Sequence, residues 1–165
     1  MKRHELARHL KQVNTSVTKI DALQLALGKD SYVADFLPKD ALVIKMLWSP
    51  HAHARIKKLD VSKAEKMPGV KCVLWHGNVP RIVHCTAGQG YPEPSPYDTF
   101  MFDTKVRFVD DRVAAVTAET EEQALAALEA IKVEYEVLKP VFTLDEAMAP
   151  GAPVIHDEPE AHVPI

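Results

Sequence analysis

An α+β fold with a mixed sheet is predicted by two repeats of a strand–helix–strand pattern. One unit spans residues 56–75 and the other spans residues 113–137. In both, an apolar strand is followed by a Ser or Thr and, three residues later, by a Glu or Gln, which is typical of a helix start. The connection of the first unit has only about nine residues, fewer than a parallel crossover within one sheet usually needs. The class is therefore α+β and not doubly wound α/β.

The strand predicted at residues 41–48 precedes both units and organises the chain. One of its faces carries Leu42, Ile44, Met46 and Trp48, and the other keeps Val43 and Leu47. Alternation with apolar residues on both faces predicts a strand that is buried in a core. Pro50 ends the strand because it has no N–H to donate to a neighbouring strand.

Three helix starts are predicted where a hydroxyl side chain can accept a hydrogen bond from the backbone N–H three residues on. The pairs are Ser62 with Glu65, Thr120 with Gln123, and Thr143 with Glu146. The second helix has an apolar stripe made of Ala124, Leu125, Leu128 and Ile131. In residues 131–137, apolar side chains then alternate with charged ones, which predicts a strand with one solvent-exposed face.

Length and composition indicate an ordinary globular domain. The chain has 165 residues, of which 47% are hydrophobic and 26% charged, and its formal net charge is −3. No basic tract indicates nucleic-acid binding, and no apolar run reaches the length of a membrane span. The N-terminus lacks the pattern of a secretory signal, and two cysteines do not make a disulfide framework. These features favour a reduced, cytoplasmic setting.

Three segments are predicted along the chain. Residues 1–14 form a linker or a short amphipathic helix, residues 15–150 form the folded domain, and residues 151–165 form an extended, proline-rich linker toward downstream sequence. Within the domain, residues 21–27 have helical propensity, and Gly28 is a natural helix stop. Residues 77–103 are rich in Gly and Pro and predict a long irregular loop, which in a compact domain is functional or mobile.

Five stretches, in collinear order, resemble motifs of one protein family. Residues 47–56, LWSPHAHARI, are similar to S-P-H-A-H-A-x-I. Residues 17–35 resemble V-x-R-x-D-A-x-x-K-V-T-G-x-A-x-Y-x-x-D, and residues 105–120 resemble K-V-R-Y-V-G-E-P-V-A-A-V-x-A-E-T. Residues 67–70 and 133–138 are similar to L-P-G-V and V-x-Y-E-x-L-P. On these motifs the chain is identified as a member of the molybdenum hydroxylases, which include xanthine dehydrogenases and aldehyde oxidases.

The resemblance implies an α/β-hammerhead domain over residues 15–150. Over residues 17–35 it implies an extended, looping segment with Tyr32 near a strand, which conflicts with the helical propensity of residues 21–27. It implies a parent oxidoreductase that hydroxylates purines, other N-heterocycles or aldehydes with water-derived oxygen. Molybdopterin is the implied cofactor, with iron–sulfur clusters and possible FAD in partner domains. The implied partners are downstream molybdopterin-binding domains and an iron–sulfur domain or subunit, and a homo-oligomer is left open.

The family's glycine-rich cofactor loops and catalytic glutamate lie further downstream. We therefore expect no catalytic, cofactor-binding or metal-binding residue in this chain. Asp110, Asp111 and Arg112 stand where the family usually has Gly-Glu-Pro, so the resemblance leaves the construction of that turn open. The resemblance also gives no match for residues 83–102.

Two histidine-containing stretches are candidate sites in their own right. His51 and His53 are two residues apart, so on a strand both imidazoles would lie on one face, where they could bind a metal or act as a base. The competing interpretation, which we favour, is packing or hydrogen bonding at a strand end. His84 beside Cys85 could lower the pKa of the thiol, but no third orienting group accompanies them, which favours an ordinary loop cysteine.

The remaining candidates have simpler interpretations. Residues 88–90, Gly-Gln-Gly, are too short for a phosphate cradle and predict a turn. The acidic residues Asp110, Asp111, Glu119, Glu121 and Glu122 could attract a divalent cation, but we favour a polar turn followed by a helix cap, which explains the same residues. Cys72 is predicted to be a small core residue, and Trp48 and Trp75 to pack in the core or at an interface.

Two functions are compatible with these motifs and patterns. The first is a non-catalytic structural hammerhead domain of a molybdenum hydroxylase. The alternative is a stand-alone binding or assembly module with the same fold, whose natural chain would end near Ile165.

Overall fold

The structure is a computed structural model that describes residues 16–29, 32–86 and 97–156. The chain divides into two compact units, Met1–Ala41 and Leu42–Ile165. The predicted N-terminal helix over residues 2–13 lies outside the described residues. The limits predicted for the folded domain and its flanking linkers stay a prediction.

The described part of the first unit contains a short helix and a 3₁₀ turn. Helix α1 spans Ala22–Ala26, and Gly28 follows it with a φ of +64°, the left-handed conformation that glycine adopts without strain. The 3₁₀ turn spans Val33–Phe36, and the Asp35 carboxylate accepts the Tyr32 N–H at 2.9 Å. The helical propensity of residues 21–27 and the stop at Gly28 are confirmed, and the extended segment that the resemblance implied is not found over Ala22–Ala26. Tyr32 leads into this 3₁₀ turn, and no strand lies in the described part of the unit.

The second unit contains six strands in two three-stranded sheets. The strands are β1 (Val43–Trp48), β2 (Ala54–Asp60), β3 (Val70–Trp75), β4 (Lys105–Val106), β5 (Arg112–Ala118) and β6 (Lys132–Val137). The first sheet has the order β1-β5-β3 and the second β4-β2-β6. All of these strand pairs are antiparallel. The α+β class is confirmed, but the single mixed sheet is corrected to two antiparallel sheets.

The two strand–helix–strand units join the sheets to each other. β2 leads through a 3₁₀ turn, Ala64–Lys66, into β3, and β5 leads through helix α2, Glu121–Ala130, into β6. In both cases the second strand lies in the other sheet. This arrangement removes the need for a parallel crossover, which explains why the first connection can be so short.

The main core lies between helix α2 and one face of the first sheet. Ala124 and Ala127 of α2 are fully buried and belong to one cluster with Val73, Val116 and the buried residues of β2. Small side chains on the helix allow its backbone to approach the sheet closely. The predicted stripe is therefore shifted, because Ala127 is buried whereas Leu125 is 46% exposed.

Two of the three predicted helix caps are confirmed. The Thr120 hydroxyl accepts the Gln123 N–H at 3.3 Å, and the Thr143 hydroxyl accepts the Glu146 N–H at 3.2 Å at the start of α3, Leu144–Met148. The Ser62 cap is wrong. The Glu65 N–H, which the cap would bind, donates to the Val61 carbonyl at 3.0 Å instead. The Ser62 N–H and hydroxyl both donate to Asp60 Oδ1, at 3.0 and 2.6 Å.

Strand β1 lies at the edge of the first sheet and pairs with β5 alone. Its Lys45 forms an ion pair of 2.6 Å with Glu121, which places Lys45 on the face that α2 covers. On the opposite face, Ile44 is 60% exposed and Trp48 is 47% exposed. The prediction of a strand buried on both faces is therefore wrong for this unit, because only one face has a packing partner within the described part of the second unit.

Strand β6 matches its predicted alternation over most of its length. Val133 and Tyr135 are half-buried, whereas Lys132, Glu134 and Glu136 are exposed. In the part of the chain that the structure describes, no helix is long and apolar enough to cross a membrane.

Candidate functional site

A polar cavity of about 270 Å³ lies beside the turn between β4 and β5. It is lined by residues from both ends of the irregular loop, from the turn, and from the segment after α3. The lining residues are Thr86, Asp98, Thr99, Phe100, Asp103, Arg107, Phe108, Asp111, Arg112, Ile155 and His156. Three carboxylates and two guanidinium groups therefore face one small space.

Asp103 is the centre of the hydrogen-bond network in this cavity. Its Oδ2 accepts from Arg107 Nη2 at 2.8 Å, and its Oδ1 accepts from Arg81 Nε at 3.2 Å and from the Thr104 N–H at 2.8 Å. The side chains of Asp103 and Arg107 are only 6% and 8% exposed. Arg107 also donates from Nη1 to the Lys105 carbonyl at 3.1 Å. The two charges therefore compensate each other in a largely dry environment.

The electrostatics of Asp103 follow from these contacts. Burial raises the pKa of the carboxyl, but hydrogen bonds from Arg107 and the Thr104 N–H outweigh it, so the pKa of Asp103 lies below its usual value. Burial likewise lowers the pKa of His76, and the charge of Asp103 opposes that shift. The carboxyl of Asp103 is therefore held in its ionised form, and burial favours the neutral form of His76.

The same network fastens the irregular loop to the sheets. The Arg81 guanidinium lies 3.9 Å from the centroid of the Phe100 ring, and Arg112 Nη2 donates to the Phe100 carbonyl at 3.2 Å. The two described ends of the loop also bind each other: the His84 N–H donates to the Thr99 carbonyl at 2.8 Å, and the Thr99 N–H donates to the His84 carbonyl at 3.2 Å. The described ends of the loop, residues 77–86 and 97–103, are therefore held by ordered contacts.

His51 and His53 lie in the connection between β1 and β2 but have different surroundings. His53 is 4% exposed, and its Nδ1 lies 2.8 Å from the Lys139 carbonyl. His51 is half-buried, and its ring packs edge-on against Tyr135 with centroids 4.9 Å apart. Both histidines pack against β6 and the residues after it, as the favoured structural interpretation predicts.

The two cysteines lie in different environments. Cys85 is half-buried, and the imidazole Nδ1 of His84 lies 3.5 Å from the Ile82 carbonyl. Cys72 is exposed, so its predicted place in the core is wrong: the alternation of β3 buries Val73 and turns Cys72 to the opposite face. Residues 88–90 lie outside the described residues.

The acidic residues near β5 are engaged in local structure. Asp111 accepts the Arg107 N–H at 2.9 Å and the Arg112 N–H at 2.8 Å, which closes the turn. Glu119 forms an ion pair of 2.6 Å with Lys71. Among the residues that the structure describes, no group of three or more His, Cys, Asp or Glu side chains is arranged to hold a metal ion.

The two tryptophans have different environments. Trp75 is half-buried beside His76, with ring centroids 4.9 Å apart, and Gly77 approaches its ring so closely that a Cβ there would collide with the indole. Trp48 lies on the exposed face of β1.

Sequence reasoning missed the network around Asp103. Arg81 and Asp103 are 22 residues apart and come from opposite ends of a loop without regular structure. No periodic pattern links them. The one usable signal was a cluster of charged residues immediately before an apolar strand, at residues 103–112.

The fold and the polar site together define a class of protein. Two small antiparallel sheets are joined through short helical connections, and the buried ionic groups bond to one another. The second unit is thus a domain of the α/β-hammerhead type, and the polar groups of its cavity bond to one another.

The chain belongs to the aldehyde oxidase and xanthine dehydrogenase family. The family description "Aldehyde oxidase and xanthine dehydrogenase, a/b hammerhead domain" matches residues 27–139. The "Probable hypoxanthine oxidase XdhD" of Escherichia coli O157:H7 is 56% identical over 154 residues, which are 93% of this chain and 16% of that protein. The resemblance inferred from the five motifs is confirmed.

Other relatives agree in fold and in extent. The "Nicotinate dehydrogenase large molybdopterin subunit" of Eubacterium barkeri is 33% identical over 87% of this chain and 32% of its own length. The crystal structure of the aldehyde oxidoreductase from Desulfovibrio desulfuricans superposes with a TM-score of 0.72 and 32% identity, over 87% of this chain and 16% of that one. The chain therefore spans a third or less of each of these relatives.

The cavity residues do not fit molybdopterin. That cofactor carries a phosphate group, which needs cationic or N–H donors that face it. Here Arg107 already donates to Asp103 and to the Lys105 carbonyl, and Arg112 donates to the Phe100 carbonyl. Three carboxylates line the same cavity and would repel the phosphate. No catalytic step is assigned to these residues, and the expected absence of site residues stays a prediction.

Proposed function

We propose that this chain is the hammerhead domain of the large subunit of a molybdenum hydroxylase, and that it supports the subunit without taking part in the chemistry. The family match over residues 27–139 carries this proposal, together with the fact that the chain covers 16% of a relative that is 56% identical to it. A segment of that size corresponds to one domain of a much larger polypeptide.

The polar cavity supports a structural role. A general acid or base needs a pKa near the working pH and access to substrate. Asp103 has a pKa below its usual value, and its two carboxylate oxygens accept bonds from Arg81, Arg107 and Thr104. Such an arrangement stabilises the connection between loop and sheets and leaves little capacity for proton transfer.

For the parent protein we propose the hydroxylation of a nitrogen heterocycle of the purine type. The support is the name of the 56% identical relative, a hypoxanthine oxidase, and that of the nicotinate dehydrogenase subunit. In this reaction a ring C–H becomes C–OH, water supplies the oxygen, and two electrons and two protons leave. Molybdopterin would supply the oxidising centre, and iron–sulfur and flavin groups in partner domains would carry the electrons away.

The partners and the location of the protein are part of the same proposal. We place the domain beside downstream molybdopterin-binding domains and an iron–sulfur domain or subunit, in the cytoplasm. Homo-oligomer formation is left open.

The test begins with the native polypeptide that carries this sequence. Its mass should be several times the 18.4 kDa of this chain, and the purified protein should contain molybdenum and oxidise hypoxanthine. The 165-residue chain, purified alone, should bind no molybdenum and show no turnover. An Asp103→Asn variant of the full protein should keep its KM for hypoxanthine while it loses thermal stability.

Two results would contradict the proposal. Stoichiometric molybdopterin or turnover in the 165-residue chain would overturn the non-catalytic role. A native polypeptide that ends near 18.4 kDa would instead support the alternative, a stand-alone binding or assembly module.

A further inference from the structure

The uncovered face of the first sheet is a continuous neutral surface. Alternation and strand register place the following residues on it, with Leu42 immediately before β1: Leu42, Ile44, Met46, Trp48, Cys72, Leu74, Ala115 and Thr117. These residues are apolar apart from one thiol and one hydroxyl. We call this set the outer face of the first sheet.

The register shows that the outer face is one surface across three strands. Ala115 of the central strand pairs with Met46 on one side and with Leu74 on the other. Thr117 pairs in the same way with Ile44 and Cys72. Ala115 is only 2% exposed, yet it does not belong to the main core cluster. The outer face is therefore separate from the core that α2 covers.

The charged groups that border the outer face lie at the ends of the sheet, whereas Lys45, in the middle of β1, lies on the face that α2 covers. Arg112 pairs with Trp48 at one end, and the Lys71–Glu119 ion pair lies at the other. A neutral centre with a charged rim is the usual composition of a permanent protein interface. On a freely soluble surface, large side chains such as Ile44, at 60% exposure, and Trp48, at 47%, would instead be dispersed among charges.

The size of the outer face identifies the kind of partner. A stable interface between separate proteins usually contains about 20–30 residues on each side, far more than this face provides. A partner on the same polypeptide loses much less translational and rotational freedom on docking, so a small apolar face is sufficient. The relatives that contain this domain are long enough to supply such a partner, since this chain covers 16% of the hypoxanthine oxidase.

We propose that the outer face of the first sheet is the surface on which the rest of the large-subunit polypeptide packs, through an apolar and uncharged surface of its own. This inference rests on the proposed function. It adds the face through which the domain packs, and it assigns the exposed side chains of Ile44 and Trp48 as principal apolar contacts. Cys72 lies within the same face and offers a direct probe of its burial.

The first experiment measures the accessibility of the Cys72 thiol in the native full-length polypeptide. A maleimide reagent is added to the folded protein and to the same protein unfolded in urea, and the peptide that contains Cys72 is quantified by mass spectrometry. Because Cys72 is exposed in this chain alone, protection must come from a partner. We expect labelling at least about tenfold slower in the folded protein.

The second experiment places a charge on the outer face. Ile44→Glu in the full-length polypeptide should lower the yield of soluble, molybdenum-containing protein by about tenfold or more, since a buried carboxylate would have no partner. Val137→Glu is the matched control: Val137 is 62% exposed, against 60% for Ile44, and lies on β6 of the second sheet. We expect the control to keep most of the yield.

The outcomes separate this inference from the proposed function. A long, molybdenum-containing polypeptide whose Cys72 reacts rapidly and which tolerates Ile44→Glu would overturn the inference and leave the proposed function standing. Equal losses with Ile44→Glu and Val137→Glu would also overturn it. Protection that disappears on dilution would identify a second copy as the occupant, which contradicts the inference. A native chain near 18.4 kDa would overturn both proposals.

Discussion

Ser49 and Asp111 bind each other through their backbones, with the Ser49 N–H donating to the Asp111 carbonyl at 2.8 Å. One residue away, the Asp110 N–H donates to the Ser49 carbonyl at 2.9 Å. The segment that follows β1 is thereby fixed to the turn that precedes β5. Both stretches belong to the motifs by which the family was inferred, so two motifs that are distant in sequence form one structural feature.

Ser49→Ala should destabilise the domain. Ser49 is 1% exposed, and its hydroxyl donates to the His51 carbonyl at 2.9 Å and accepts the His51 N–H at 3.0 Å. Loss of a buried hydroxyl that hydrogen-bonds both backbone groups of His51 should lower the free energy of unfolding by about 1–2 kcal/mol. Urea denaturation of the 165-residue chain measures this change. Ser62→Ala removes an exposed serine with a similar local bond and should have little effect; equal losses would contradict the argument.

Asp110 explains how this chain builds its turn without the glycine that the family usually has there. Its φ is +66°, a left-handed conformation that Asp tolerates better than most residues. Asp110→Gly should leave the stability unchanged or raise it by up to about 1 kcal/mol, whereas Asp110→Val should lower it by about 1–2 kcal/mol. Denaturant midpoints of the two variants test this. A stable Val variant would show that the turn relaxes to another conformation.

Asp103→Asn should destabilise the domain more than Ser49→Ala or Asp110→Val. It would remove the carboxylate charge that faces the guanidinium of Arg107, whose side chain is 8% exposed. Breaking a buried ion pair from one side typically lowers the free energy of unfolding by about 3–5 kcal/mol. Asp98→Asn is a suitable control because Asp98 lines the same cavity but is 25% exposed, with His156 3.9 Å away. If both variants lost the same amount, the Asp103 network would not be the main source of stability.

The lowered pKa of Asp103 also predicts a pH dependence. Because the folded-state pKa lies below the unfolded value of about 3.9, the carboxylate contributes its full stability above that value. The contribution is lost as the pH falls through the folded-state pKa, since the unfolded chain binds the proton first. Denaturant midpoints measured from pH 6 down to pH 3 should therefore fall less steeply in Asp103→Asn than in the natural chain. Parallel curves would contradict the assignment.

Local features of the fold were predictable, and features that depend on a distant partner were not. The Thr120 cap was predicted correctly because both of its partners lie within one turn of helix. The Ser62 cap failed because the Glu65 N–H binds the Val61 carbonyl, an acceptor that the capping pattern does not include. For β1, alternation identified an apolar strand, but it could not tell which of its faces has a partner within this chain.

The candidate site, too, was predicted only in part. Packing of His51 and His53 was the favoured interpretation, and the structure places both against β6 and the residues that follow it. The network of Arg81, Asp103 and Arg107 was missed because it depends on how an irregular loop returns to the sheet. The motif resemblance supplied the fold family, because five collinear motifs constrain the whole chain at once.

Gly69→Ala tests the junction between β3 and helix α2. Gly69 has a φ of +82°, and its carbonyl accepts the Glu119 N–H at 3.0 Å. A Cβ at this position would collide with the side-chain amide of Gln123, whose Oε1 accepts the Thr120 N–H at 3.1 Å. The substitution should therefore combine backbone strain with loss of the cap, and lower the free energy of unfolding by about 2–3 kcal/mol.

Gly151→Ala separates these two effects. Gly151 has a similar φ of +79°, but a Cβ there would meet nothing within 4 Å. It should therefore show only the backbone strain, about 1 kcal/mol. The difference in lost stability between the two variants measures the collision with Gln123. The stability lost through Gly69→Ala should therefore be smaller when Gly69→Ala is introduced into a Gln123→Ala background. If the two glycine variants lost the same stability, Gln123 would move away freely and the cap would contribute little to this junction.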